Sequence, residues 1–128
     1  MATRGVGVDL VDVARFTLAI ERHPRLIERL FTEGERRDAR QRPERLAARF
    51  AAKEAVLKTL GVGVGAAPWR SIEVTTNDAG APSVLLHGSA SELARAAGVA
   101  TWHLSMTHTS VTAAAVVVGS SKKAARAR

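Results

Sequence analysis

Two stretches of this chain combine residue types suited to phosphate and to a hard cation. GVDLVDV places Asp9 on a short apolar segment, and ARFAAKEAVLKTLG, residues 48–61, sets Arg49, Lys53, Glu54 and Lys58 in an otherwise apolar helical pattern. Arg49 and Lys53 stand four residues apart and repel, whereas Glu54 and Lys58 have the same spacing and can pair. Phe50, Leu57, Leu60 and several alanines fill most of the remaining helix surface. Removing an ion from water is costly, so a burying helix keeps such charges only against compensation. One compensation is structural, with long Lys and Arg stems reaching solvent. The other is chemical. Asp9 and Glu54 would converge on one magnesium ion, which takes few protein carboxylates and leaves positions for water and phosphate oxygens. The neighbouring basic residues would then hold the phosphate charge. Asp9 by itself is equally compatible with an ordinary strand end.

The elements that would position these groups are legible. In RGVGVDLVDV, Val6, Val8 and Leu10 alternate with Gly5, Gly7 and Asp9, which predicts a strand with one buried face and Asp9 opposite Val8 and Leu10. A helical pattern starts at Asp12, and Pro24 marks either a break or the first turn of a second helix. RLIERLF continues helically, TEGERRDARQRPERL is a polar connection with another helix start, and Gly61 is a stop for the central helix. RSIEVTTNDAGAPSVLLHG reads as two strands joined by an NDAG turn. Ser89 and Glu92 have capping-box spacing for a short helix ending near Gly98. TWHLSMTHTSVTAAAVVVG is a strand pair turning near residues 108–110, with Trp102, Leu104, Met106 and His108 on one face and His103, Ser105 and Thr107 on the other. Strands and helices mix without strict alternation, which predicts an α+β fold with a mainly antiparallel sheet.

At 128 residues the chain accommodates one domain, expected over residues 1–118, with 119–128 (GSSKKAARAR) as a basic, disordered tail. There is no cysteine, which excludes disulfides and thiol chemistry. Asp9 and Asp12 interrupt any N-terminal signal core, and no apolar run is long enough to span a bilayer, so a cytoplasmic protein without membrane contact is expected. The net charge is +7, and residues 1–70 hold 14 Lys and Arg against 9 Asp and Glu, which points to an anionic partner for the first half. Gly61, Gly63 and Gly65 do not make a P-loop, because the G-K-[ST] ending is missing and no helix follows.

GVDLVDVARF followed by RFAAKEAVLKTLG resembles the two signature blocks of the holo-[acyl-carrier-protein] synthases, the small 4′-phosphopantetheinyl transferases. The resemblance continues through GAAPWRSIEV, NDAGAPSVLLHG and HLSMTHT, covering everything before the tail. It implies transfer of 4′-phosphopantetheine from coenzyme A to a serine of apo acyl carrier protein, with adenosine 3′,5′-bisphosphate as the other product. Fatty acid biosynthesis is the implied setting, with polyketide biosynthesis beside it. Asp9 and Glu54 become the magnesium ligands and, with Lys58, the catalytic set. Arg49 would grip the 3′-phosphate, with Lys53, Lys58, Gly61 and His108 also at the coenzyme. The serine proton would pass to Glu54 or to a water held by the metal. Thr109 stands where many relatives carry an acid, so no catalytic role is expected of it.

The same resemblance assigns Arg15, Arg22, Arg25 and Arg29, with Leu26 as apolar anchor, to docking of the acidic carrier protein. On spacing alone the four arginines form one helical stripe only if the helix runs unbroken past Pro24. The resemblance further implies that a chain of this size builds its cleft between copies, as a homotrimer. The competing reading is a small basic, non-catalytic binding module for RNA or an acidic protein. Three Phe, two Trp and no Tyr give it few stacking platforms, and it leaves Asp9 and Glu54 unexplained. A magnesium enzyme acting on another nucleotide is opposed only by the resemblance.

Overall fold

Residues 1–122 are described by the computed structural model. β1 (Thr3–Asp12) leads into α1 (Val13–Arg22), α2 (Leu26–Leu30), α3 (Glu33–Ala39) and α4 (Pro43–Thr59). A Gly-rich loop and a 3-10 turn at Trp69–Ser71 precede β2 (Ile72–Thr76) and β3 (Pro82–Leu86). α5 (Gly88–Ala96), β4 (Thr101–His108) and β5 (Thr112–Ser120) follow. The strands make a three-stranded sheet in the order β1-β5-β4 and a two-stranded sheet β2-β3, and every pairing is antiparallel. The architecture is the expected α+β class.

Local chemistry sets most of the boundaries. Asp12 starts α1 by accepting a hydrogen bond from the Arg15 N–H at 2.9 Å. Thr32 and Glu35 form a reciprocal capping box on α3. Pro43 opens α4, and Gly61, at φ 71°, ends it with its N–H bonded to the Lys58 carbonyl. Gly80, at φ 83°, lets the NDAG turn close between β2 and β3. The expected Ser89–Glu92 capping box does not form. α5 begins two residues earlier than that cap requires, at Gly88 with His87 as the cap, so Ser89 lies inside the first turn. Gly119 and Ser120, expected in the tail, belong to β5, whereas residues 123–128 of that tail lie outside the described residues.

β1 alternates as expected, but in the opposite sense to the usual apolar-inward rule. Val6, Val8 and Leu10 are 59%, 58% and 69% exposed, while the glycine side of the strand faces α4. A Cβ on Gly7 would lie 2.0 Å from the Ala55 carbonyl oxygen, and one on Gly5 would lie 2.3 Å from that of Thr59. β5 offers the same side of the sheet Ala113, Ala115, Val117 and Gly119, all buried. Small residues on both strands thus let the helix backbone approach to a distance that larger side chains would prevent.

The core divides around α4. One cluster joins Phe16, Leu30, Phe31, Leu46 and Val74 between the first three helices and the sheet, and the other gathers Val56, Leu57, Ile72, Ala90 and Val117 toward α5. Among the described residues no helix is long and apolar enough to cross a membrane.

Candidate functional site

The close contact between β1 and α4 brings Asp9, on the glycine side of the strand, against the exposed end of the helix. Lys58 Nζ donates to Asp9 Oδ1 at 2.9 Å and to the Val8 carbonyl at 3.0 Å. Glu54, one turn earlier, does not take Lys58 as its ion-pair partner despite the favourable spacing. It is half-buried, and its pKa is pushed from the ordinary 4.5 to about 7, first by burial and then by hydrogen bonding with the Asp9 carboxyl. Lys58 is held above its usual range, chiefly by the hydrogen bond to Asp9. Two acidic groups distant in sequence therefore share one small volume.

That volume has the chemistry of a divalent-cation site. Asp9 Oδ2 is buried and has no hydrogen-bond partner, an orphan of the kind a cation would satisfy. The two carboxylates repel when both are ionised, and a proton or a cation relieves that repulsion. Both donors are hard oxygens, as magnesium prefers. Among the described residues no cluster of three or more acidic, His or Cys side chains converges, so the chain itself supplies only this pair. Asp9 and Glu54 fit a cation whose remaining positions go to substrate oxygens and water.

Arg49 and His108, far apart in sequence, line one cavity of about 340 Å³ together with Asp38, Arg45, Thr76 and Met106. His108 shares the Met106 face of β4, as alternation requires, and is exposed because the strand ends there. The Arg49 guanidinium is buried; Nη1 reaches the Arg45 carbonyl at 3.3 Å, and Nε has no partner. Burial lowers its pKa, partly offset by Asp38. A buried guanidinium with a spare N–H is well suited to a phosphate oxygen. Arg45 and Asp38 were not singled out by sequence, although Arg45 lies one helical turn before Arg49.

Lys53 departs from the expected coenzyme role. Its side chain is fully buried and bonded to Glu35 Oε1 at 2.7 Å, to the Trp69 carbonyl at 3.0 Å and to the Ile72 carbonyl. All three N–H groups are thus committed inside the chain. The T-x-x-E spacing of Thr32 and Glu35 is visible in the sequence, but nothing there links Glu35 to Lys53. Gly61 is exposed beyond α4 and has open space around it. Thr109 is a turn residue, its Oγ1 accepting from the N–H groups of Val111 and Thr112 at 3.0 Å.

The arginine stripe is interrupted. α1 ends at Arg22 and α2 starts at Leu26, with Pro24 in the turn between them. Arg25, Leu26 and Arg29 line one surface cavity with His23 and Glu28. Arg15 and Leu26 line a second, of about 480 Å³, with Leu10, Phe16, Leu30, Phe50 and Glu54. Leu26 therefore connects the arginine-bearing turn to the cavity onto which Glu54 opens. Arg22 is exposed on the last turn of α1.

Residues 5–116 match the model of the 4′-phosphopantetheinyl transferase superfamily. The chain is 50% identical over 121 residues to a holo-[acyl-carrier-protein] synthase of Frankia alni, covering 94% of this chain and 100% of the relative. It is similar to the solved structure of the acyl carrier protein synthase of Mycobacterium tuberculosis, with 40% identity, a TM-score of 0.74 and coverage of 94% of this chain and 99% of that one. A Helicobacter pylori holo-[acyl-carrier-protein] synthase solved with coenzyme A superposes with a TM-score of 0.82 at 28% identity, covering 90% of this chain and 99% of that one.

The raised Glu54 pKa has a measurable consequence in the metal-free protein. A carboxyl that titrates at 4.5 when unfolded and at about 7 when folded holds its proton more tightly in the fold. Its contribution to stability is therefore full at low pH and falls as pH rises between those values. A carboxyl resonance of Glu54 followed by NMR without magnesium should titrate near 7 and move down in Asp9→Asn. Titration at the ordinary value in the parent protein would contradict the pairing.

Proposed function

Because this chain belongs to the 4′-phosphopantetheinyl transferase superfamily, we propose that the pair Asp9 and Glu54 is the cation-holding centre of its transfer reaction. The protein is a holo-[acyl-carrier-protein] synthase: it moves 4′-phosphopantetheine from coenzyme A to a serine of apo acyl carrier protein. The observation that carries the site assignment is the sharing of one volume by Asp9 and Glu54, with Asp9 Oδ2 left without a partner. Asp9, Glu54 and Lys58 form the catalytic set. A fatty acid biosynthetic role, magnesium as the cation and action in the cytoplasm belong to the same proposal.

The serine oxygen attacks the β-phosphorus of coenzyme A, a new P–O bond forms, and the bridging P–O bond breaks to release adenosine 3′,5′-bisphosphate. Asp9 and Glu54 would hold the magnesium, which would supply positive charge against the diphosphate and the oxygens that gain charge in the transition state. Lys58 keeps an exposed ammonium anchored by Asp9, placed to meet the same phosphates. Arg49, with its unpaired Nε, holds the 3′-phosphate in the cavity that His108 also lines. The serine proton passes to Glu54 or to a water held at the carboxylate pair.

Arg15, Arg22, Arg25 and Arg29 attract an acidic carrier protein, and Leu26 provides the apolar contact that connects the docking turn to the Glu54 cavity. Fields of this kind raise association rates and weaken with salt. The outer sheet face is apolar through the middle of β1 and β5, with Val6, Val8, Leu10 and Val116 each at least 40% exposed. Such a face is unusual on a monomer and suits association with further copies of the chain, completing a homotrimer.

Apo carrier protein incubated with coenzyme A, magnesium and this protein should gain the phosphopantetheine mass. Asp9→Ala and Glu54→Ala should each lose turnover by about a thousandfold or more while remaining folded. Wild-type-like turnover by either would defeat the site assignment.

A crossed experiment separates the two substrate surfaces. Reversing Arg15 and Arg22 to Glu should raise KM for the carrier and leave coenzyme A unaffected, whereas Arg49→Ala should do the opposite. An unchanged carrier KM would reject docking on α1, and an unchanged coenzyme KM would reject the 3′-phosphate contact. For assembly, sedimentation should give three copies for the parent and one for Val8→Glu; a monomeric parent would refute the trimer.

A further inference from the structure

We infer that Lys53 and Glu35 are positioning residues of the transfer reaction, acting through Trp69 on Phe50 and so on the wall of the cavity onto which Glu54 opens. The inference rests on the transferase reading and assigns a role to charges that the reaction itself does not use. Both side chains are fully buried, and their 2.7 Å ion pair is enclosed on every side. Glu35 spends its remaining capacity on the Thr32 N–H at 3.0 Å and the Val74 N–H at 2.9 Å. Lys53 spends its own on the carbonyls of Trp69 and Ile72. No N–H of the ammonium is left for a coenzyme.

A buried ion pair is an inefficient way to gain stability, since apolar side chains of similar volume often serve as well. What this pair supplies is direction. One ammonium ties α4 to α3 and to both ends of the Trp69–Ile72 segment, where the Gly-rich loop returns to the fold. The segment's first residue, Trp69, lays its ring on Phe50 with centroids 5.1 Å apart. Phe50 packs on Phe16 at 5.7 Å, and Phe16 on Phe31 at 6.2 Å. The far end of this aromatic row returns to the start, because Lys53 Nζ lies 5.6 Å from the centre of the Phe31 ring. The row is therefore held at both ends by the same ammonium.

Its two middle rings face the reaction. Phe16 and Phe50 line the cavity of about 480 Å³ together with Glu54, Arg15 and Leu26. Phe50 precedes Glu54 by one helical turn, so a displaced Trp69 ring changes the space in which an acceptor serine must meet the carboxylate pair. Arg49 and His108 line a different cavity, so coenzyme affinity should not follow.

The test uses the full-length chain with Trp102→Phe, which leaves Trp69 as the sole tryptophan. In that background E35Q/K53M removes both charges and leaves Gln an oxygen for a backbone N–H. Trp69 emission should shift, kcat should fall by roughly tenfold to a hundredfold, and KM for coenzyme A should stay constant. Phe50→Leu should cost a similar factor, and combining it with E35Q/K53M should add little. A parent-like kcat, losses that multiply, or a raised coenzyme KM with kcat retained would each overturn the proposal. Should E35Q/K53M fail to fold, Trp69→Leu leaves the ion pair intact and must reproduce the kcat loss; full kcat there is equally decisive against it. A wild-type chain that transfers nothing to apo carrier protein would sink the transferase reading instead, and a Trp102→Phe parent is used only once it matches the wild-type rate, both read before any of these variants is compared.

Discussion

Everything in the site depends on how closely the backbone of α4 approaches β1. The positions where a Cβ would fall 2.0–2.3 Å from helix carbonyl oxygens are glycines, so the strand can lie directly on the helix. Asp9 comes two residues after Gly7 on the same side of the strand, which carries it to the turn of α4 that holds Glu54 and Lys58. A bulkier strand would push the helix outward and separate the carboxylates. The proximity that raises the Glu54 pKa and the proximity that would grip a cation have the same origin.

The same constraint explains the exposed valines. With its glycine side given to the helix, β1 turns Val6, Val8 and Leu10 outward, and β5 adds Val116. The apolar face of the strand is thus left exposed, while the nearly side-chain-free face gives the site its geometry. Fold and proposed assembly are two consequences of one alternation.

The charges buried in α4 are resolved in three ways. Lys53 is neutralised within the chain by Glu35 and backbone carbonyls. Arg49 is turned toward a cavity with one N–H unsatisfied. Glu54 and Lys58 lie at the rim, where Asp9 meets both. Identical helical spacing thus covers a charge paired inside the chain, a charge facing a cavity and two charges at the rim. Spacing of four within a helix suggested that Glu54 and Lys58 would pair, but Asp9 competes successfully for the ammonium because the strand delivers it at hydrogen-bond distance. Lys53 could not be told from Arg49 by position on the helix, since its partner lies eighteen residues earlier on another element.

The α+β class, the helix start at Asp12, the stop at Gly61 and the NDAG turn were legible in local residue chemistry, because turns and helix ends are decided by a few adjacent side chains, although the Ser89–Glu92 box read the same way does not form. The pairing of Asp9 with Glu54 was legible as a possibility of type and spacing, and the family resemblance gave it a reaction. Which face of β1 is buried, whether the arginine stripe is continuous, and which lysine is free were decided only by tertiary structure. Those outcomes turn on distances between segments far apart along the chain: steric exclusion at a glycine, a proline-bearing turn and a buried carboxylate on a neighbouring helix. One-dimensional periodicity contains none of these distances.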